Sequence, residues 1–236
     1  MKRLAMLLTA AVLFLLSCGT EEQKVGEMRH ESRSMQPQNA QSVSTHLMMG
    51  AGKLNVSGSA DALMDADFAH NVANWKPKVN YEVNGNTGEL SIKQGSGKGI
   101  RIGGGARNEW DLRFNDEVPT DLVVEMGAGE SDLDLDSLTL TGLTLQMGAG
   151  ESTVDLTGDY GRDFHAAIQG GVGEATVLLP SKVGVQAKAE GGLGKINAKG
   201  LEKEGDSYVN DAYGDSDVTV KVDVQGGVGE INLQVV

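Results

Sequence analysis

Residues 143–156 read Leu143-Thr144-Leu145-Gln146-Met147-Gly148-Ala149-Gly150-Glu151-Ser152-Thr153-Val154-Asp155-Leu156. Apolar and polar side chains alternate on both sides of Gly148-Ala149-Gly150, the period of a half-buried β-strand. The glycines between the two runs mark a corner, where a positive φ or a close backbone approach excludes a Cβ. The same unit recurs as Gly50-Ala51-Gly52, Gly127-Ala128-Gly129, Gly171-Val172-Gly173, Gly192-Leu193-Gly194 and Gly227-Val228-Gly229, each followed by a charged residue. The second glycines at 129, 150, 173 and 194 are spaced by 21, 23 and 21 residues, and Gly229 follows after 35 more. A repeat of this length is one coil of a solenoid, whose interior is buried only when coils stack. The chain is therefore predicted to be all-β, a β-solenoid of coils of about 21 residues with Gly-x-Gly corners and an irregular N-terminal part.

Composition agrees with a narrow interior. Four phenylalanines and two tryptophans occur in 236 residues, so Val, Leu, Ile and Ala must fill the core. The single cysteine, Cys18, leaves no disulfide to hold the fold. Its position is informative instead: Met1-Lys2-Arg3 is followed by an apolar run from Leu4 to Leu16 and then Ser17-Cys18-Gly19. A run this short does not span a bilayer, which takes about 20 residues, and reads as an export signal. The placement of Cys18 resembles the lipobox of bacterial lipoproteins, which implies cleavage after Ser17 and lipidation of Cys18. Without Lys2 and Arg3 the mature chain carries 33 acidic against 18 basic residues, a net charge near −15. Such a surface excludes nucleic acid as a partner.

Residues 18–45 contain almost no large apolar side chains and read as a flexible tether, with an r.m.s. reach of roughly 30 Å. Further along, Leu63, Phe68 and Val72 fit either a helix face or an ill-aligned coil. Val79 to Val83 and Leu90 to Ile92 flank a turn at Asn84-Gly85-Asn86-Thr87-Gly88 and read as a hairpin. Trp75 and Trp110 are expected to cap the wider end of the stack.

Several stretches resemble the bacterial toast-rack family: Trp75-Lys76-Pro77-Lys78-Val79 with Tyr81-Glu82-Val83 and Gly88-Glu89-Leu90, and Trp110-Asp111-Leu112-Arg113-Phe114 with Val118-Pro119-Thr120-Asp121-Leu122. The repeats from 121 onward are similar to the C-terminal domain of LiaF-type cell-wall-antibiotic-response proteins. The resemblance covers roughly residues 42 to 236. It implies a β-helix-like stack with an envelope-associated, non-enzymatic role and no catalytic residues. A lipidated Cys18 in place of N-terminal membrane helices sets this chain apart from the LiaF type. The expected organisation is a signal peptide at 1–17, lipidated Cys18 and tether at 18–45, an N-terminal toast-rack-like β region at 46–120, and solenoid repeats at 121–236.

Motifs for chemistry are sparse. No GxGxxG or Walker loop occurs, and Gly170-Gly171-Val172-Gly173 lacks the acidic ligand of a calcium-binding repeat, with Ala175 in its place. His30, His46, His70 and His165 are scattered, without metal-ligand spacing, and no GxSxG is present. No metal or cofactor is predicted. The carboxylates are patterned: Glu130, Asp132, Asp134 and Asp136 alternate with apolar or small residues along one outer face. Stacked coils also align Glu130, Glu151, Glu174, Lys195 and Glu230 in a column. Rungs lie ~4.8 Å apart, so neighbouring glutamates repel by about 1 kcal/mol even in water. The column reads as a solvated, edge-blocking face, with a weak cation site or a basic partner as the alternative.

The long step before Gly229 is an insertion, Gly200 to Asp217, that carries Tyr208 and Tyr213 among acidic residues, and extruded loops of this kind are common recognition elements. The chain ends Ile231-Asn232-Leu233-Gln234-Val235-Val236 directly after the last corner, so this terminal strand is expected to form an edge that the insertion, a second copy or an envelope partner covers. Three functions follow. The leading one is a lipid-anchored envelope protein that binds or scaffolds an envelope protein or glycan, placed on the periplasmic face of the outer membrane or on the cell surface. A surface-exposed adhesin-like module is the alternative. A carbohydrate-active β-helix enzyme needs paired carboxylates and aromatic platforms, which are scarce here.

Overall fold

The computed structural model describes residues 25–96 and 104–236. The signal segment 1–17 and Cys18 lie outside the described residues. The strands are β1 (Arg29–Met35), β2 (Ser42–Ser57), β3 (Met64–His70), β4 (Lys78–Asn84), β5 (Thr87–Lys93), β6 (Asn108–Phe114), β7 (Thr120–Asp134), β8 (Leu140–Asp155), β9 (Phe164–Leu179), β10 (Gly184–Lys199), β11 (Glu202–Glu204), β12 (Ser207–Val209) and β13 (Thr219–Val235). The fold is all-β and solenoid-like. Strands β2, β7, β8, β9, β13 and β10 stack in that order, all parallel.

Each of these long strands runs through its Gly-x-Gly unit, and its inward face changes parity there. Along β7, Leu122, Val124 and Met126 are buried before the corner and Ser131 and Leu133 after it. Along β13 the sets are Val220, Val222 and Val224, then Ile231 and Leu233. A regular strand keeps one parity throughout. The shift comes from the second glycine, which adopts φ +130° in Gly129 and φ +139° in Gly173, a region that side chains with a Cβ rarely enter. Both arms then point their apolar residues into one shared core. Leu135, Leu138 and Leu140, all buried, close the coil between β7 and β8. Each such side chain contributes about 1.5–3 kcal/mol by leaving water.

At the N-terminal end the next rung is composite. β5 pairs with the first arm of β2 and β6 with its second. Here Gln94 and Asn108 take over the corner: Gln94 Oε1 accepts from the amides of Gly50 and Ala51 at 2.7 and 3.2 Å, and Asn108 Nδ2 donates to the Ala51 carbonyl at 3.0 Å. Antiparallel strands finish this end, β4 on β5 and β3 then β1 on β6.

Four expectations are corrected. Residues 29–35, assigned to the tether of 18–45, form β1, paired along its whole length with β3. β1 exposes most of its side chains, so backbone hydrogen bonds rather than an apolar face hold it. Leu63, Phe68 and Val72 share neither a helix face nor a misaligned coil: Phe68 lies in β3, which runs from Met64 to His70 between β1 and β6, Leu63 directly precedes that strand, and Val72 caps a single 3-10 turn at Ala73–Trp75. The boundary at 120/121 falls inside a continuous stack, where β2 and β7 pair in register from Val43↔Thr120 to Val56↔Leu133. The C-terminal strand is not an edge: β13 lies between β9 and β10, with Ile231 and Leu233 buried. The chain leaves one slot open as it passes from β9 to β10, and the insertion lets it return to fill that slot.

Candidate functional site

The corners form an outer ridge carrying two columns of side chains. In rung order the middle residues are Ala51, Ala128, Ala149, Val172, Val228 and Leu193. They grow more apolar toward β10, where Leu193 is 73% exposed. The charged column runs Lys53, Glu130, Glu151, Glu174, Glu230, Lys195 in the same register. Four glutamates are thus adjacent and a lysine closes each end. Lys53 Nζ lies 3.8 Å from Glu130 Oε2. The order differs from chain order, which set Lys195 between Glu174 and Glu230, because β13 inserts before β10.

Neighbouring amides relieve part of the repulsion. Asn232 Nδ2 donates to Glu174 Oε1 at 2.7 Å, and Asn197 Nδ2 donates to Glu230 Oε1 and to Asn232 Oδ1. Glu151, between Glu130 and Glu174, has no such donor among the described residues. Glu151→Gln is therefore expected to raise the unfolding free energy by about 0.5–1 kcal/mol at low ionic strength, and the gain should vanish in 1 M salt. A thermal melt that shows no gain at 10 mM salt refutes the repulsion.

Asp132, Asp134 and Asp136 are exposed on the outer face that begins at Glu130. Shallow burial first, and then the Asp134 and Asp155 carboxylates, push the Asp136 carboxyl above the ordinary range. Its ionisation thus costs stability as pH rises through its folded-state value. Burial, followed by the charges of Asp155 and Asp136, also holds the Tyr160 hydroxyl un-ionised, and it donates to the Leu135 carbonyl at 3.2 Å. Among the described residues, no three His, Cys, Asp or Glu side chains come together as a metal site. His46 and His165 pair instead with carboxylates one rung away, His46 with Glu125 at 3.0 Å and His165 with Asp223 at 2.8 Å.

The second-corner glycines Gly52, Gly129, Gly150, Gly173, Gly194 and Gly229 all have positive φ. The first-corner glycines Gly127, Gly148, Gly171, Gly192 and Gly227 each sit against a carbonyl oxygen of the adjacent rung, 2.2–2.5 Å from where a Cβ would stand, whereas Gly50 faces Gln94. Trp75 and Trp110 are both buried and offer no open ring face. Behind the ridge, Met126 and Met147 fill the inner corner in two rungs, and Ile231 and Ile196 reach across to Gly226 and Gly191 in the last two. The Gly170–Ala175 rung between them has small residues on both sides, and a Cβ on Gly170 would meet nothing nearer than the Gln225 carbonyl at 4.0 Å. A pocket of about 170 Å³ opens there, lined by Leu145, Ile168, Ile196 and Ile231 among others.

The insertion covers only part of the last rung. β12 pairs antiparallel with Gln186 and Ala187 of β10, and β11 pairs with β12. Asn210 pins it: buried, its Nδ2 donates to the Pro180 and Val183 carbonyls at 2.9 and 2.8 Å and its Oδ1 accepts from the Val185 amide at 2.9 Å. Tyr208 and Tyr213 are half-buried, and Lys203 Nζ lies 5.8 Å from the centre of the Tyr208 ring. The tyrosines and the glutamate column are therefore on different parts of the stack. Lys53, Lys195 and the glutamates share one repeat position, whereas the strand order sets Glu230 beside Glu174 and brings Asn197 and Asn232 within reach of them.

No curated protein matches the chain. Among solved structures, a candidate cell adhesion protein of Clostridium sporogenes ATCC 15579 is 38% identical with a TM-score of 0.87, over 89% of this chain and 100% of that one. Candidate adhesins of Bacteroides fragilis NCTC 9343 and Parabacteroides merdae ATCC 43184 are 10% and 11% identical, with TM-scores of 0.30 and 0.26, over 88% and 89% of this chain and 97% of each of theirs. Those two scores are too low to carry an argument. The family model for the N-terminal domain of toast_rack, DUF2154, matches residues 24–178, from just before β1 to the penultimate residue of β9. With its glycine-cornered parallel stack and this match over more than half its length, the chain belongs to the toast-rack family.

Proposed function

We propose that the protein is a non-enzymatic envelope module that lipidated Cys18 anchors to the membrane and that binds a protein or glycan partner through the outer surface of its stack. The likeness to a candidate cell adhesion protein, 38% identical over 89% of this chain, carries this reading. The side-chain arrangement supports it, because among the described residues the ordered groups are exposed columns on a ridge rather than a buried constellation of acid, base and nucleophile. A rigid stack presents such columns at low entropic cost on binding. Of the two settings, display at the cell surface as an adhesin-like module agrees better with that relative than a scaffold inside the envelope.

Expression of the wild type and of Cys18→Ala tests the anchor. The wild type should partition with membranes and carry a diacylglyceryl mass on Cys18, and Cys18→Ala should become soluble. A wild type recovered with a free Cys18 thiol in the soluble fraction overturns the reading. Protease added to intact cells separates the settings, since digestion requires surface exposure and protection leaves the scaffold.

A further inference from the structure

We infer that the open edge of β10, from Lys188 to Asn197, is an interface at which a second copy of this chain pairs antiparallel and continues the stack. The two ends of the solenoid are finished differently. At the N-terminal end, β1 presents a polar edge of Arg29, Glu31 and Arg33. At the other, β12 stops after pairing with Gln186 and Ala187, and among the described residues no strand pairs with the outer side of β10 beyond them. The core is open there. Ile196 is 36% exposed, although its register partner Ile231 is 3% exposed.

A guarded edge has charges that point inward or interrupt the apolar face. Between Lys188 and Asn197 of β10 the inward side chains are Ala189 and Ile196, and the charges of Lys188, Glu190 and Lys195 lie on the outward face. A strand partner of the right chemistry therefore needs small or apolar inward residues, outward charges of opposite sign in matching order, and a corner. A copy of β10 supplies all three.

Because parity changes at Gly192-Leu193-Gly194, a two-fold axis through the corner lays the first arm of one copy on the second arm of the other, inward face against inward face. Two registers keep corner on corner. One opposes Lys188 to Lys199 and Glu190 to Asn197, placing like charges together. The other opposes Ala189 to Ile196, Glu190 to Lys195 and Lys188 to Asn197, each twice by symmetry. This register joins the two cores and forms two opposite-charge cross-strand pairs, the isologous arrangement of a closed dimer. It ends where Lys188 meets Asn197; Ala198 and Lys199 of each copy, which would fall opposite the Ala187 and Gln186 that β12 occupies, turn aside there, and both β1 strands stay at the far ends of the doubled stack. The pairing does not depend on lipidation or adhesion.

The mature chain bearing Cys18→Ser, followed by sedimentation at 0.15 M salt, should dimerise in a concentration-dependent way. Lys195→Glu should raise the dissociation constant by about tenfold or more, and Glu190→Lys with Lys195→Glu in one chain should return it to within about threefold of the starting value. Rescue by the double exchange separates lost pairing from lost folding. In the same background, Glu190→Cys mixed with Lys195→Cys should form an intermolecular disulfide that neither variant forms alone. A chain that stays monomeric up to about 1 mM, a dimer that Lys195→Glu leaves unchanged, or single-cysteine variants that cross-link alone as well as in the mixture would overturn the inference.

Discussion

Gly173→Ala is expected to lower the unfolding free energy by about 3 kcal/mol or more, which corresponds to a drop in Tm of roughly 6–12 °C for a chain of this size. Gly173 has φ +139°, and a Cβ there would stand 1.8 Å from the carbonyl oxygen of Gly150. That oxygen is backbone and has rungs on both sides, so neither partner can move aside. The cost combines a forbidden dihedral with a steric overlap that recurs in every rung. Gly161→Ala is the control, because Gly161 has open space around it and no positive φ, and its effect should stay within about 0.5 kcal/mol. Equal melting temperatures for the two variants would refute the stacked corner.

Trp110→Ala is expected to cost about 3–5 kcal/mol. Trp110 is 1% exposed and meets the Phe68 ring edge-on with 5.5 Å between centroids. Its Nε1 donates to Asn108 Oδ1 at 3.1 Å, and the Asn108 amide in turn holds the Ala51 carbonyl. Removing the ring leaves a cavity and also frees the side chain that closes the first corner. Hydrogen exchange should rise first in β3, β6 and the second arm of β2, because β9 and β13 lie several rungs away. An even rise across all rungs would show instead that the stack unfolds as one unit.

The repeat was legible because it imposes two local constraints at once. Alternation of Leu143, Leu145 and Met147 declares a strand, and a glycine pair every 21 to 23 residues declares where each coil turns. Either signal survives without knowledge of what lies beside it. The same reasoning missed β1: an exposed strand such as Arg29–Met35 is stabilised by its neighbour's backbone, and side-chain patterning holds no record of that pairing. It likewise read Ile231–Val235 as an edge, since chain order and spatial order coincide in a simple solenoid. Here the 35-residue step breaks that coincidence.

By itself, then, the sequence determined the strand period, the corner glycines and the alignment of repeat positions into columns, all of which depend on residues within one coil. Only the tertiary structure decided which rung follows which, and with it that four glutamates lie between Lys53 and Lys195, that the C-terminal strand is interior, and that β10 is left open. Those outcomes depend on which backbone edge is free when β13 arrives. That is a competition between pairing partners distant in the chain, and β13 gains most by filling the slot between β9 and β10, where both of its edges pair and Ile231 and Leu233 leave water.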